Sequence, residues 1–184
     1  MNLFNSMICI LLVLSACQPP QDNAANEAFD TNSKVVMAYI EGYKSENLDY
    51  DAWYADDVII RGTSFGDKDS LSLDDIKAMD KMFLGAFDLQ LLTDPVLLPG
   101  VSVDTKKVDG SVRYYGDWKM IKSATDSTEE KSVIVKVYES FDFNNEGKII
   151  FQQSYGDMTA AFDYLTDNDE DEDDEDENDL EDED

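Results

Sequence analysis

The chain has no histidine among its 184 residues. Every mechanism built on an imidazole is excluded with it: Ser-His and Cys-His nucleophile pairs, and Asp-His acid–base pairs. Positive charge is also scarce, with 14 Lys+Arg against 42 Asp+Glu and a formal charge of −28. Nucleic acid and anionic lipid headgroups both call for Lys/Arg patches, so neither is an expected partner. Cysteine is nearly absent, with 2 residues. No histidine and no free thiol leave no basis for a zinc or iron site. Long apolar runs are missing as well. The run Met7–Ala16 covers 10 residues, whereas a membrane-crossing helix needs roughly 20. What is present is a 42% hydrophobic content, enough for a core. The length suits one domain. The acids are unevenly placed: residues 167–184 hold 15 of them and no base, leaving −13 for the rest of the chain.

The short apolar run has the length of a signal-peptide core. It ends in Leu14-Ser15-Ala16-Cys17, which resembles the bacterial lipoprotein signal. That resemblance implies cleavage before Cys17 and acylation of the new terminal cysteine. Multiple acyl chains anchor stably where one is marginal. The expected address is the bacterial cell envelope, lipid-anchored to a membrane. Residues 1–16 are then the signal peptide and 17–28 a tether. Cys9 leaves with the signal, so the mature domain carries neither thiol nor disulfide. One departure is that no Lys or Arg precedes Met7.

From Asp30 onward the pattern is helical. Val36, Tyr39, Ile40 and Tyr43 recur at i, i+3, i+4 and i+7, one face of a helix. A short helix is predicted over Tyr50–Tyr54 and a strand over Val58–Arg61, closed by Gly62. Ser72 followed three residues later by Asp75 resembles a capping box. It opens a helix with Ile76, Met79, Phe83, Ala86 and Phe87 on one stripe, and Lys77, Asp80, Lys81 and Asp88 elsewhere. Beyond Thr93 the period becomes two. Strands are predicted at Val96–Val103, Ser111–Ser123, Ser132–Phe143 and Lys148–Gly156, then a helix at Thr159–Leu165. Helices first and hairpin strands after give an α+β domain over 29–166, with helices on one face of a sheet.

This order, together with particular residues, resembles the nuclear transport factor 2-like superfamily, which includes ketosteroid isomerases, scytalone dehydratase and the SnoaL-like polyketide cyclases. The matching pieces are the long first helix, the turn Trp53-Tyr54-Ala55-Asp56-Asp57-Val58 and the Ser72–Phe87 helix. They continue with Gly110-Ser111-Val112-Arg113-Tyr114-Tyr115-Gly116-Asp117-Trp118, the Tyr138–Gly147 hairpin and a last strand ending Tyr155-Gly156-Asp157. The resemblance implies a cone: a strongly curved antiparallel sheet wrapped around N-terminal helices, with a pocket open at one end. It also implies a possible homodimer through the outer sheet face. It does not imply a reaction, because one fold hosts many functions. The Asp-His chemistry of the cyclases and the dehydratase has no counterpart in a chain without histidine.

Alternation along the strands nominates the pocket residues. Val112, Tyr114, Trp118 and Met120 share one face. Val133, Val135, Val137 and Phe141 share another, interrupted by Glu139. In the last strand Ile149, Phe151, Gln153, Tyr155 and Asp157 share a face that turns polar at its end. Glu139, Asp157 and Tyr155 are the candidate acid–base residues. Trp53, Tyr54, Tyr114, Trp118 and Gln153 are the candidate ligand contacts. A carboxyl among apolar neighbours has its pKa raised by burial and can then exchange protons near neutrality. Glu139 equally fits an ion pair or a solvated bend, and Asp157 a helix cap. Asp142–Gly147 imitates the first half of a calcium loop, but its twelfth position is Gln153 and it joins two strands, so a hairpin turn is expected. No metal or cofactor is expected. Residues 167–184 read as an extended, disordered acidic tail. Three functions fit: a lipid-anchored module binding a small apolar or aromatic molecule, an isomerase-, cyclase- or dehydratase-type enzyme using carboxylate and tyrosine, or a non-catalytic interaction protein.

Overall fold

The computed structural model describes residues 23–63 and 66–167. The signal peptide, Cys17, the first part of the tether and all but the first residue of the acidic tail lie outside them. In chain order the elements are α1 (Asn23–Ser45), α2 (Tyr50–Trp53), β1 (Tyr54–Arg61), α3 (Leu73–Ala86), β2 (Asp88–Leu91), β3 (Val96–Val101), β4 (Val108–Lys122), β5 (Lys131–Phe143), β6 (Ile149–Tyr155) and α4 (Met158–Thr166). α1 starts at Asn23, inside the stretch read as tether, so the first helix is longer than the periodicity from Asp30 suggested.

The strands form one curved, unclosed sheet in the order β1-β6-β5-β4-β2, with β3 also on β4. This is the α+β cone expected from the sequence. β2 and β3 share one edge of β4: Asp88–Leu91 pairs with its C-terminal part and Val96–Val101 with its N-terminal part. Two features were not foreseen. β2 exists, and β1 joins β6 in parallel rather than through a hairpin.

α1 lies along the inner face of β4. Val36, Tyr39 and Ile40, the predicted face, are buried there. Two glycines set how closely the chain approaches that helix. A Cβ at Gly42 would fall 2.3 Å from the Trp53 indole, so only glycine lets Trp53 pack on α1. Gly110, the third residue of β4, has φ +85°, and a Cβ there would sit 2.9 Å from that of Ala28. The Asn32 side-chain amide donates to the Gly110 carbonyl at 2.9 Å, tying helix to strand. At α3 the capping box is present: the Ser72 hydroxyl accepts from the Asp75 N–H at 3.2 Å and the Asp75 carboxylate accepts from the Ser72 N–H at 2.9 Å. The Ser72 hydroxyl also donates to that carboxylate at 2.7 Å, and this bond, followed by the backbone one, holds the Asp75 carboxyl below its usual range.

The core has two parts. The larger gathers Val36, Tyr39, Ile40, Trp53, Tyr54, Phe141 and their neighbours between α1 and the sheet. The smaller joins Phe87, Met120 and Val135 to Ala161 and Leu165 of α4. Between them the helices and the sheet leave a space unfilled.

Candidate functional site

That space is a cavity of about 710 Å³ lined from α1, β1, α3, β2, β4, β5, β6 and α4. It has the size and apolar character of a small-molecule site. Its walls are aromatic and methionine-rich, with Phe83, Phe87, Phe162, Met79, Met82 and Met120 among them.

Glu139 sits on β5 with 6% of its surface exposed. The strand alternates regularly through Val135, Val137, Glu139 and Phe141, so its position dictates an inward side chain. Three donors meet one of its oxygens. Tyr39 donates its hydroxyl to Oε1 at 3.1 Å, Gln152 its amide at 3.1 Å and Ser154 its hydroxyl at 2.6 Å. The Gln152 amide is itself oriented by Tyr54, whose hydroxyl donates to Oε1 of Gln152, while Nε2 also donates to the Tyr39 oxygen at 2.9 Å. All three bonds end on Oε1, Oε2 receives no donor from the described residues, and the Glu139 side chain lines the cavity. Burial pushes this carboxyl above its ordinary pKa; the three hydrogen bonds pull the other way, and the Asp80 carboxyl adds to the rise.

Asp80 repeats the arrangement on the α3 wall. Its Oδ2 accepts from the hydroxyls of Tyr43 at 2.8 Å and Tyr50 at 2.9 Å. Oδ1 receives no donor from the described residues. Burial raises this carboxyl too, against the two tyrosine bonds. Tyr39 and Tyr43, one turn apart on α1, have ring centroids 4.8 Å apart and so bring the two carboxyl groups to one cavity. The phenols of Tyr39, Tyr43 and Tyr54 are pushed well above their usual pKa, first by burial and then by neighbouring charge and phenols. They remain donors at neutral pH.

The Tyr114 hydroxyl accepts from the Trp118 indole at 2.8 Å. Its own proton has no acceptor among the described residues, and the side chain lines the cavity. Burial lifts this phenol to about 12, with the Trp118 bond opposing.

Of the sequence candidates, Glu139, Tyr54, Tyr114 and Trp118 line the cavity. Tyr155 reaches its rim, but its ring lies against Tyr138 on the outer face, 5.7 Å between centroids. Gln153, Asp157 and Trp53 are placed elsewhere. Trp53 is core, edge-on to Tyr39 at 5.7 Å. Asp157 is exposed and caps α4 by accepting from the Ala160 N–H at 3.4 Å. Gln153 faces outward because of a bulge. Phe143 pairs with Ile149 but Asp142 pairs with Phe151, so Ile150 is an extra residue in β6. One extra residue reverses the inward set, and beyond it Gln152 and Ser154 point in. The Asn144–Gly147 segment is a hairpin turn, its Asn144 side chain accepting from the N–H groups of Glu146 and Lys148.

Asp80, Gln152, Ser154 and Tyr50 were missed as site residues. Asp80 left a trace: it stands four residues after Ile76 and three before Phe83, which places it on the buried side of α3. Among the described residues no group of three acids, cysteines or histidines is arranged to hold a metal ion. None of the described helices is long and apolar enough to cross a membrane.

No family model matches this sequence, and no curated protein matches it. Solved structures do match in shape. A protein assigned as a polyketide cyclase from Xanthomonas campestris is 15% identical; the match covers 76% of this chain and 99% of that one, with a TM-score of 0.58. A phenazine biosynthesis-related protein from Pseudomonas aeruginosa is 14% identical, covering 78% and 90% with a TM-score of 0.54. An LEH-like epoxide hydrolase from M. tuberculosis is 16% identical, covering 74% and 85% with a TM-score of 0.51. At such identities the likeness establishes the fold: this is the nuclear transport factor 2-like cone.

Proposed function

We propose that the chain is a lipid-anchored envelope protein whose cone binds a small apolar or aromatic molecule and fixes a polar group on it through Glu139 and Asp80. The observation that carries this reading is the 710 Å³ cavity lined by the buried Glu139, whose hydrogen bonds from the described residues all end on one carboxyl oxygen. Burying a carboxyl without a full set of partners is costly, so a cavity that keeps one is suited to a ligand that completes it. Nile red, an uncharged apolar dye, tests the cavity itself. It should bind with enhanced fluorescence, and Val137→Trp, which fills the space beside Glu139, should weaken that binding about tenfold or more while the fold is kept. Unchanged binding by the Trp variant removes the cavity from the account. The anchor has its own test: Cys17→Ala should move the protein from the membrane to the soluble fraction.

A second reading, proton-transfer catalysis, is favoured by the same two carboxyls. Each lines the cavity with one oxygen held by hydrogen-bond donors and the other without a donor among the described residues, and its proton affinity is raised by burial. Such groups exchange protons efficiently near neutral pH. Tyr114, with a proton to donate, is the matching hydrogen-bond donor for a developing oxyanion. Enzymes are among the proteins of similar shape, which supports this reading without naming a substrate.

A further inference from the structure

We infer that the molecule held in the cavity is an organic cation: an apolar or aromatic body bearing a protonated amine. This rests on the cavity being a small-molecule site and names the class of ligand it takes.

The lining contains three carboxyl side chains, Asp67, Asp80 and Glu139, and no Lys or Arg among the described residues. Each wall contributes consistently. Facing the two deep carboxyls are phenols from α1 (Tyr39, Tyr43), α2 (Tyr50), β1 (Tyr54) and β4 (Tyr114). Asp67 is exposed, and the residues α4 contributes to the lining carry no charge. Where bases do approach this side of the molecule they are engaged elsewhere: Lys77 lies 3.7 Å from Asp51 and over the Tyr50 ring.

Counting what remains for a ligand decides its sign. Tyr39, Tyr43 and Tyr54 spend their protons on Glu139, Asp80 and Gln152. Ser154 and the Gln152 amide spend theirs on Glu139. The deep cavity then offers two open carboxyl oxygens, one phenol proton from Tyr114, and aromatic faces. An anion meets carboxylates and no positive group. A neutral carbonyl compound meets the Tyr114 proton, and a carboxyl proton only while that group stays un-ionised. An ammonium group meets two acceptors and is further held by ring faces, which attract cations within about 6 Å of their centroids. Glu139 is more than nine-tenths buried and lines the cavity, and Oε2 takes none of its hydrogen bonds from the described residues, so this is more than a cluster of surface acids. An ammonium in the site completes that oxygen with a charge-assisted bond.

The test compares three probes sharing one ring system: tryptamine, tryptophol and indole acetate, titrated calorimetrically into the full chain at neutral pH. Tryptamine should bind about tenfold tighter than tryptophol, and indole acetate more weakly than either. Ethanolamine, a cation without a ring, should not compete. Raising the salt concentration strips cations from the acidic surface but leaves a buried pair largely intact, so the preference should persist. Tryptamine binding should also release protons, seen as a buffer-dependent heat, and tighten as pH rises through the raised carboxyl pKa values. That measurement needs no variant. Glu139→Gln, which keeps the size and an acceptor oxygen, should reduce the preference at least threefold. If tryptophol displaces Nile red as well as tryptamine does, with no proton release, the inference is overturned while the cavity reading stands. If Nile red and all three probes fail to bind, both are overturned. A preference that vanishes in high salt, or survives Glu139→Gln together with Asp80→Asn, also overturns it.

Discussion

The two faces of β4, β5 and β6 carry the same kind of residue in neighbouring register rows and use it differently. On the inner face Tyr114 pairs with Glu139, and Glu139 with Ser154. One residue along, on the outer face, Tyr115 pairs with Tyr138 and Tyr138 with Tyr155. The outer rings lie in a row, 4.9 and 5.7 Å between centroids. Tyr115 and Tyr155 are each 45% exposed, so water serves their hydroxyls. Tyr114 is 1% exposed, and its hydroxyl is bound to the Trp118 indole. Inside, polar atoms either find a protein partner or face the cavity. Outside, the tyrosines act as half-solvated cross-strand pairs. The same side chain is structural on one face and a candidate ligand contact on the other because the dielectric differs, not the chemistry.

The largest predicted effect breaks the inner face outright. Phe141 is fully buried beside Tyr39, with centroids 5.2 Å apart. Phe141→Ala should cost about 3–5 kcal/mol in urea denaturation, the range for deleting a core phenyl. Tyr115→Ala on the outer face should cost about 1 kcal/mol or less, the worth of a cross-strand pair. Similar losses for both would mean that the outer face is buried in the protein as it exists.

The second prediction concerns Glu139. Glu139→Ala leaves the donors of Tyr39, Gln152 and Ser154 without their acceptor and should cost about 1–3 kcal/mol. Glu139→Gln isolates the charge. The folded-state pKa of Glu139 is raised above its unfolded value, so its contribution is fully present below the ordinary carboxylate range. It is lost as pH rises through the raised value, because the ionised form is disfavoured by burial. The stability difference between wild type and Glu139→Gln should therefore shift against the wild type as pH climbs from the ordinary carboxylate range towards neutrality. Surface acids cancel in that difference. A difference independent of pH would mean that water reaches Glu139 freely.

The inner face was legible where alternation ran unbroken. Val112, Tyr114, Trp118 and Met120 on β4, and Val135 to Phe141 on β5, point inward as their spacing requires, and Glu139 stood out as the one charge in that row. The Ser72–Asp75 cap was legible because it is local. The rest was hidden for identifiable reasons. A bulge at Ile150 shifts parity in β6 without any Gly or Pro to mark it, so Gln153 and Asp157 were read in place of Gln152 and Ser154. β2 spans only Asp88–Leu91 and follows α3 directly, too short for a period to register. Asp80 was read as lying off the apolar stripe of α3, although its spacing from Ile76 and Phe83 put it on the packed side. Partners as distant as Tyr43 and Tyr50 on α1 and α2 are set by the tertiary fold alone.

The smallest effect separates a cap from a site. Asp157 follows the inner–outer pattern of β6 in sequence, yet the strand ends at Tyr155 and Asp157 opens α4, accepting from Ala160. As an N-cap it satisfies one of the backbone donors that the first turn leaves unpaired. Asp157→Ala should cost about 1 kcal/mol, and Asp157→Asn much less, since both Asp and Asn cap well. Neither should change Nile red affinity, because the carboxylate is exposed and outside the cavity lining. A loss of affinity in Asp157→Asn at unchanged stability would return this residue to the site and would require the polar end of β6, not its middle, to face the ligand.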